Sequence, residues 1–360
     1  MKIKELKTVI YINGRFLTQE LTGVQRFAEE ISRHLQKIRD DIVILSPPNI
    51  DQSRIAQLDN IEIIGKNTGH IWEQYDLPIY LKGRGGSLLV NLSNTAPVFY
   101  KNKLVTHHDI TYKRYPNSYS LKFKLLYNSI IPVILKTSRA LITVSDFSKG
   151  EICEAYNYDP KKTHVIYNST SNEFSPKIND ENPGSYFLAV SSSNFHKNFH
   201  GLIKAFEKMS NEQGIQLKII GGWNKNFSNP ELDSILENGD SKGIVFLGRV
   251  SDEELVKLYS NALAFIFPSF YEGFGIPPLE AQACGCPVAS SNRASLPEVL
   301  SDSVLYFSPD DEAEIISTME LLIASQSIRN DLIERGYKNV KRFSWDNSAA
   351  KLNDLIKSLE

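Results

Sequence analysis

A chain of 360 residues, 41% hydrophobic and 23% charged, is long enough for two domains with a core each and too apolar for extensive disorder. Its 40 lysines and arginines against 42 aspartates and glutamates give a net charge of −2, which excludes a global basic field for nucleic acid or anionic lipid and leaves room only for a local patch. The longest unbroken apolar run, Ala262 to Phe267, falls far short of the roughly 18 residues of a membrane span.

In chain order, the basic start leads into Val9-Ile-Tyr-Ile12, a strand too short for the apolar core of a signal peptide, so the expected compartment is the cytoplasm. Thr22-Gly-Val-Gln25 reads as a capping box before a helix with Val24, Phe27, Ala28, Ile31 and Leu35 on one face. Strands are expected at 42–45, 61–64, 88–90, 104–107 and 140–144, with a helix from Ser120 to Thr137 bent at Pro132 and a short one capped by Ser145. Periodicity stops between Ser169 and Ser185, where the polar stretch 172–184 reads as the domain junction and hinge. It restarts with strands at 186–190, 216–220, 244–247 and 263–267, a capping box at Ser251-Asp-Glu-Glu254, a helix opened by Pro277-Pro278, and helices over the last 50 residues. This βα alternation, occurring twice, predicts an α/β fold of two Rossmann-like, doubly wound domains facing across a cleft. The domains are expected at 1–171 and 184–345, with 346–360 a helix packing back on the first. Cys153, Cys284 and Cys286 are odd in number and lack metal-site spacing, consistent with buried small hydrophobes.

The segment from Phe267 to Val288 carries the most chemistry. A strand ends there, Gly273 and Gly275 permit close backbone approach, and the following helix start offers amides to a diphosphate. Glu272 and Glu280, with seven residues between them, could accept hydrogen bonds from sugar and ribose hydroxyls. A plain tight turn before a dipole-stabilised helix charge would also produce this pattern. His107-His108-Asp109 after a strand lacks a third metal partner at a useful spacing. Trp72, Tyr112, Tyr115 and Tyr119 suit sugar stacking and core packing equally. No Asp-x-Asp sequence occurs in the chain.

Glu272-Gly-Phe-Gly-Ile-Pro-Pro-Leu-Glu280 resembles the donor motif of family 4 retaining glycosyltransferases of the GT-B architecture, especially their mannosyltransferase-B-like branch. The likeness extends in order through Asn13-Gly-Arg15, Thr22-Gly-Val24, Trp72-Glu-Gln74, His107-His-Asp109, Thr143 to Ser148, Val165 to Asn168, His196-Lys-Asn198, Phe246 to Ser251 and Ser295 to Glu298. The resemblance implies a metal-independent hexosyltransferase without cofactor, taking a hexose, mannose as first choice, from a nucleotide-diphosphate sugar such as GDP-mannose. The acceptor is then a hydroxyl of a growing surface glycan (O-antigen or other polysaccharide) or lipid-linked oligosaccharide, with peripheral association at the cytoplasmic membrane face and no nucleic-acid partner. It assigns catalysis to His108, Glu272 and Lys197. Donor binding falls to Gly23, Ser192, Lys197, Arg249, Glu272, the backbone of Gly273, Phe274, Gly275 and Ile276, and Glu280 for the ribose. Arg15 and Asp109 are placed on the acceptor side. Many relatives have an arginine shortly before the lysine; here Ser191 to Asn194 holds none, and Arg249 is the candidate replacement. A nucleotide-sugar epimerase of the same architecture and a non-catalytic nucleotide-sugar-binding partner are the competing readings.

Overall fold

The computed structural model describes residues 9–177, 184–190, 194–221 and 243–360. They fall into two compact units: Met1–Ile110, Leu121–Asn168 and Ser344–Glu360 in the first, Thr111–Ser120 and Ser169–Phe343 in the second.

In unit 1 the β-branched runs become β1 (Ile10–Asn13), β2 (Ile42–Ser46), β3 (Ile61–Ile63), β4 (Leu89–Asn91), β5 (Lys103–Thr106), β6 (Ala140–Thr143) and β7 (Thr163–Val165). They form a parallel sheet in the order β3-β2-β1-β4-β5-β6-β7. Strands covered on both faces read as continuous apolar runs rather than alternating ones, and β1, β5 and β6 are buried at every position. The longer helices are α1 (Gly23–Ile38), α2 (Leu121–Thr137) and α3 (Asp146–Tyr156). Ser145 Oγ accepts the Ser148 amide at 3.0 Å as the α3 cap. The capping box expected at Thr22 does not form: the Thr22 hydroxyl bonds the Gln25 side chain, leaving the N-terminal amides of α1 without a side-chain cap. Helix α2 runs through Pro132.

Unit 2 contains β8 (Tyr186–Val190), β9 (Gln216–Ile220), β10 (Ile244–Gly248), β11 (Ala264–Phe267), β12 (Val288–Ser291) and β13 (Leu305–Phe307), parallel in the order β10-β9-β8-β11-β12-β13. Its longer helices are α4 (Phe199–Lys208), α5 (Asp252–Asn261), α6 (Ile276–Ala283), α7 (Glu312–Ala324) and α8 (Gln326–Val340). Phe187, Leu202, Phe206, Leu217, Ile266 and Met319 fill the core between β8, β9, β11 and the helices α4 and α7. Ser251 caps α5 through the Glu254 amide at 3.2 Å, and Asp311 caps α7 through the Ala313 amide at 2.9 Å. Segment 111–120, expected within the 1–171 block, clusters with unit 2. His196 Nδ1 lies 3.1 Å from the Ser118 hydroxyl, and the Tyr115 ring packs near His196 and Tyr271.

The last helix, α9 (Trp345–Lys357), belongs to unit 1. Leu352 and Ile356 are fully buried, Trp345 packs against Phe27 with centroids 6.0 Å apart, and Ser348 Oγ donates to the Tyr167 carbonyl at 2.7 Å.

Candidate active site

Open parallel sheets bind ligands beyond the carboxyl ends of the strands flanking the point where strand order reverses. In unit 2 those strands are β8 and β11. The chain leaving β8 passes through 191–193, so Ser192 lies outside the described residues, and then forms a turn containing His196 and Lys197. The chain leaving β11 forms the Ser269 to Gly275 loop. The Phe270 amide donates to the His196 carbonyl at 2.8 Å, holding the two loops together. Across that contact Lys197 Nζ donates to both oxygens of Glu272, at 2.8 and 2.9 Å, with both side chains mostly buried. Burial, and then the charge of Lys197, press the His196 imidazole down to about 2, so it is neutral beside the lysine.

Gly275 precedes α6 at φ +97°, and a Cβ there would come within 2.7 Å of the Leu296 side chain, so the turn requires glycine. The Ser295 hydroxyl is shared between the carbonyls of Glu272 and Phe274, at 2.9 and 3.0 Å, and fixes the loop from beneath. The Phe274 ring packs edge-on against Phe343 at 5.4 Å. Two corrections concern α6. It begins at Ile276, so Glu280 lies in its second turn, beyond the first turn where the helix dipole would stabilise a charge. With prolines at the next two positions, the first turn offers the amide of Ile276 and little else, fewer donors than a helix start suggests. Glu280 is 6% exposed, its carboxylate 3.5 Å from the hydroxyl of fully buried Tyr259. Burial and the Glu280 charge push the Cys284 thiol up to about 12, so it is an inert apolar side chain. Arg249 is exposed, between β10 and α5.

In unit 1 the reversal falls between β1 and β4. Beyond it Arg15, 7% exposed, donates from Nε to Glu73 at 3.0 Å and from Nη2 to Thr95 at 2.7 Å. Asn13 donates to Glu73 at 2.9 Å and to Asn91 at 3.0 Å, and Thr95 donates to the other Glu73 oxygen at 2.8 Å. Burial alone would raise the Glu73 carboxyl, but Arg15 and the donated hydrogen bonds outweigh it and hold the group at about 2. Arg15 is thus committed to a buried ion pair. His108 is 6% exposed; its Nε2 lies 3.1 Å from the Leu92 carbonyl, its ring meets Phe27 edge-on at 5.0 Å, and burial lowers its pKa. Asp109 is partly buried and Gly23 exposed at the start of α1. Trp72 is fully buried with Nε1 donating to the Ile64 carbonyl at 2.8 Å, a core role.

Glu73 and Ser295 are the structural residues that sequence reasoning did not single out. Both lie within ordered landmarks, Trp72-Glu-Gln74 and Ser295 to Glu298, so the signal was present without its meaning. A cavity of about 590 Å³ in unit 1 has Ile10, Leu88, Asn102 and Arg139 in its lining, which is the amino edge of the sheet and the wrong end for a ligand of this fold.

The two units define a two-domain α/β protein, each parallel sheet with the reversal of strand order beyond which folds of this class bind ligands. The family described as glycosyl transferases group 1 matches residues 170–339. The O-antigen chain mannosyltransferase RfbU of Salmonella typhimurium is 32% identical over 351 residues, covering 93% of this chain and 96% of that protein. The O-antigen chain mannosyltransferase B of Escherichia coli is 31% identical over 280 residues, 73% of each chain. Anabaena HepE in complex with UDP and glucose matches in structure with a TM-score of 0.76 at 16% identity, over 97% of this chain and 99% of that one. Sucrose-phosphate synthase of Thermosynechococcus elongatus matches with a TM-score of 0.75 at 18% identity, over 98% of both. The chain belongs to the group 1 glycosyl transferases, the family 4 enzymes of GT-B architecture, and is a glycosyltransferase.

Proposed function

We propose that this enzyme transfers mannose, with retention, from GDP-mannose to a hydroxyl of a growing O-antigen-type glycan carried on lipid. The observation that carries the reading is the likeness to RfbU along nearly the whole of both chains. In this reading Glu280 accepts the ribose hydroxyls, Lys197 and the backbone of Gly273 to Ile276 hold the diphosphate, and Glu272 and His108 orient the sugar. Gly23, Ser192 and Arg249 add donor contacts, while Asp109 faces the acceptor and Arg15, through Glu73, positions the loops around it. The C1–O bond to the diphosphate breaks, the acceptor oxygen bonds to C1 on the same face, and its proton leaves with the phosphate. Charge growing on the departing diphosphate is met by Lys197 and backbone amides.

A thermal-shift screen of nucleotide sugars tests the donor. A ligand at a hundred times its dissociation constant adds about 2.7 kcal/mol, and GDP-mannose should give the largest shift. A larger shift with a UDP-sugar would replace the donor assignment. Turnover that needs acceptor and survives excess EDTA is expected; product formed without acceptor would mark an epimerase.

A further inference from the structure

In unit 2 the turn after β8 runs Phe195-His196-Lys197 and the loop after β11 includes Phe270-Tyr271-Glu272, the two joined by the Phe270 amide on the His196 carbonyl. His196 and Tyr271 are buried, each with its ring 5.9 Å from that of Tyr115. Their neighbours Phe195 and Phe270 stack on one another instead, with ring centres 5.9 Å apart, and Phe195 is 58% exposed. His200, in the first turn of α4, stacks on Phe195 at 5.0 Å and stands 6.2 Å from Phe270. Three centres so nearly equidistant place His200 and Phe270 on the same side of Phe195, since rings on its two faces would be separated by about the sum of their distances to it. The other face of Phe195 is turned away from both. A lone exposed apolar side chain is ordinary, but one buttressed by two further rings beside Lys197 and Glu272 is a preformed surface.

We propose that Phe195, backed by Phe270 and His200, is a stacking platform for a sugar ring of the acceptor glycan. One face of a pyranose presents C–H groups while its hydroxyls point to the edge, so a flat apolar ring takes it without stripping water from those hydroxyls. Size selects this occupant over a protein. An aromatic side chain covers about 150–250 Å², part of it here taken up by the neighbouring rings, far short of the roughly 800 Å² per partner of a stable interface. Position selects it over a nucleobase: with the ribose at Glu280 and the diphosphate at Lys197, a ring two residues before Lys197 lies towards the sugar end of the donor. The platform presupposes the glycan acceptor proposed above, but oligosaccharide binding is read without donor, so the two fail separately.

Saturation-transfer NMR on the full chain, with the aromatic protons irradiated, is run with neutral manno-, gluco- and galacto-oligosaccharides. At least one of them should receive saturation at its ring C–H protons. Phe195→Ala should weaken that oligosaccharide about five- to tenfold and Phe195→Leu about as much, while Phe195→Trp restores it, because the sugar needs an aromatic face rather than an apolar side chain. The leucine variant repeats the test should the alanine variant not fold. Melting temperature and the shift induced by GDP should be unchanged in all three, and in turnover Phe195→Ala should raise the acceptor KM with kcat unchanged. Saturation transfer to none of the oligosaccharides, or wild-type affinity in the folded alanine or leucine variant, would overturn the proposal. So would a weakened GDP shift in Phe195→Ala, which would assign the ring to the nucleotide. Oligosaccharide binding that depends on Phe195, in a protein that transfers nothing from GDP-mannose, would leave the platform standing and remove the donor assignment alone.

Discussion

Glu73 is ionised where no water reaches it, because Arg15, Asn13 and Thr95 replace hydration with directed hydrogen bonds. Removing it leaves the Arg15 guanidinium buried and unpaired, so Glu73→Ala should cost about 3–5 kcal/mol in denaturant unfolding. Its carboxyl is near 2 in the folded protein against an ordinary 4.5. The stability it contributes is therefore complete above pH 4.5 and lost as pH falls from there through 2, and Glu73→Gln should flatten that part of the melting profile. The proposed site residues separate in kinetics. Glu280→Ala should weaken GDP and GDP-mannose alike, by about tenfold or more, because a ribose contact is the same in ground and transition states. Lys197→Ala should instead lower turnover at saturating donor by about 10²–10³-fold, since the charge it meets grows as the bond breaks. Unchanged GDP affinity, or normal saturated turnover, would remove the respective role.

The Ser269 to Gly275 loop is shaped by steric and hydrogen-bonding constraints from other elements. Gly275 is held at a positive φ against Leu296, and Ser295 grips the loop from the landmark segment that follows β12. Gly275→Ala forces both an unfavourable backbone angle and a clash, so a loss of about 1–3 kcal/mol is expected. Calorimetry should also show a weaker donor-induced shift, because the displaced loop carries Glu272. A variant with wild-type melting and donor response would show that the loop relaxes freely.

Each unit of the molecule depends on distant parts of the chain. Residues 344–360 belong to unit 1, where Leu352 and Ile356 of α9 are fully buried and Trp345 meets Phe27. Truncation after Phe343 should expose that apolar surface and lower the first unfolding transition strongly, and Leu352→Ala alone should cost about 2–5 kcal/mol. An unchanged two-transition calorimetric trace after truncation would contradict this. Segment 111–120 makes the reverse excursion into unit 2, through Ser118 and Tyr115 on His196.

What the sequence by itself determined is set by local rules. Burial on both faces demands unbroken β-branched runs, so ten of the thirteen strands could be read from periodicity, while the short β7, β12 and β13 could not, and the ordered motifs pointed to the family before any coordinate. Caps with a serine hydrogen-bonding the amide three residues on, as at Ser145 and Ser251, are equally local and were legible. Only the tertiary structure decided that Arg15 is consumed by Glu73 some sixty residues later and that Lys197 faces Glu272. These pairings are long-range electrostatic and hydrogen-bonding choices. They depend on which loops the reversed strand order brings together, information that no window of the chain contains.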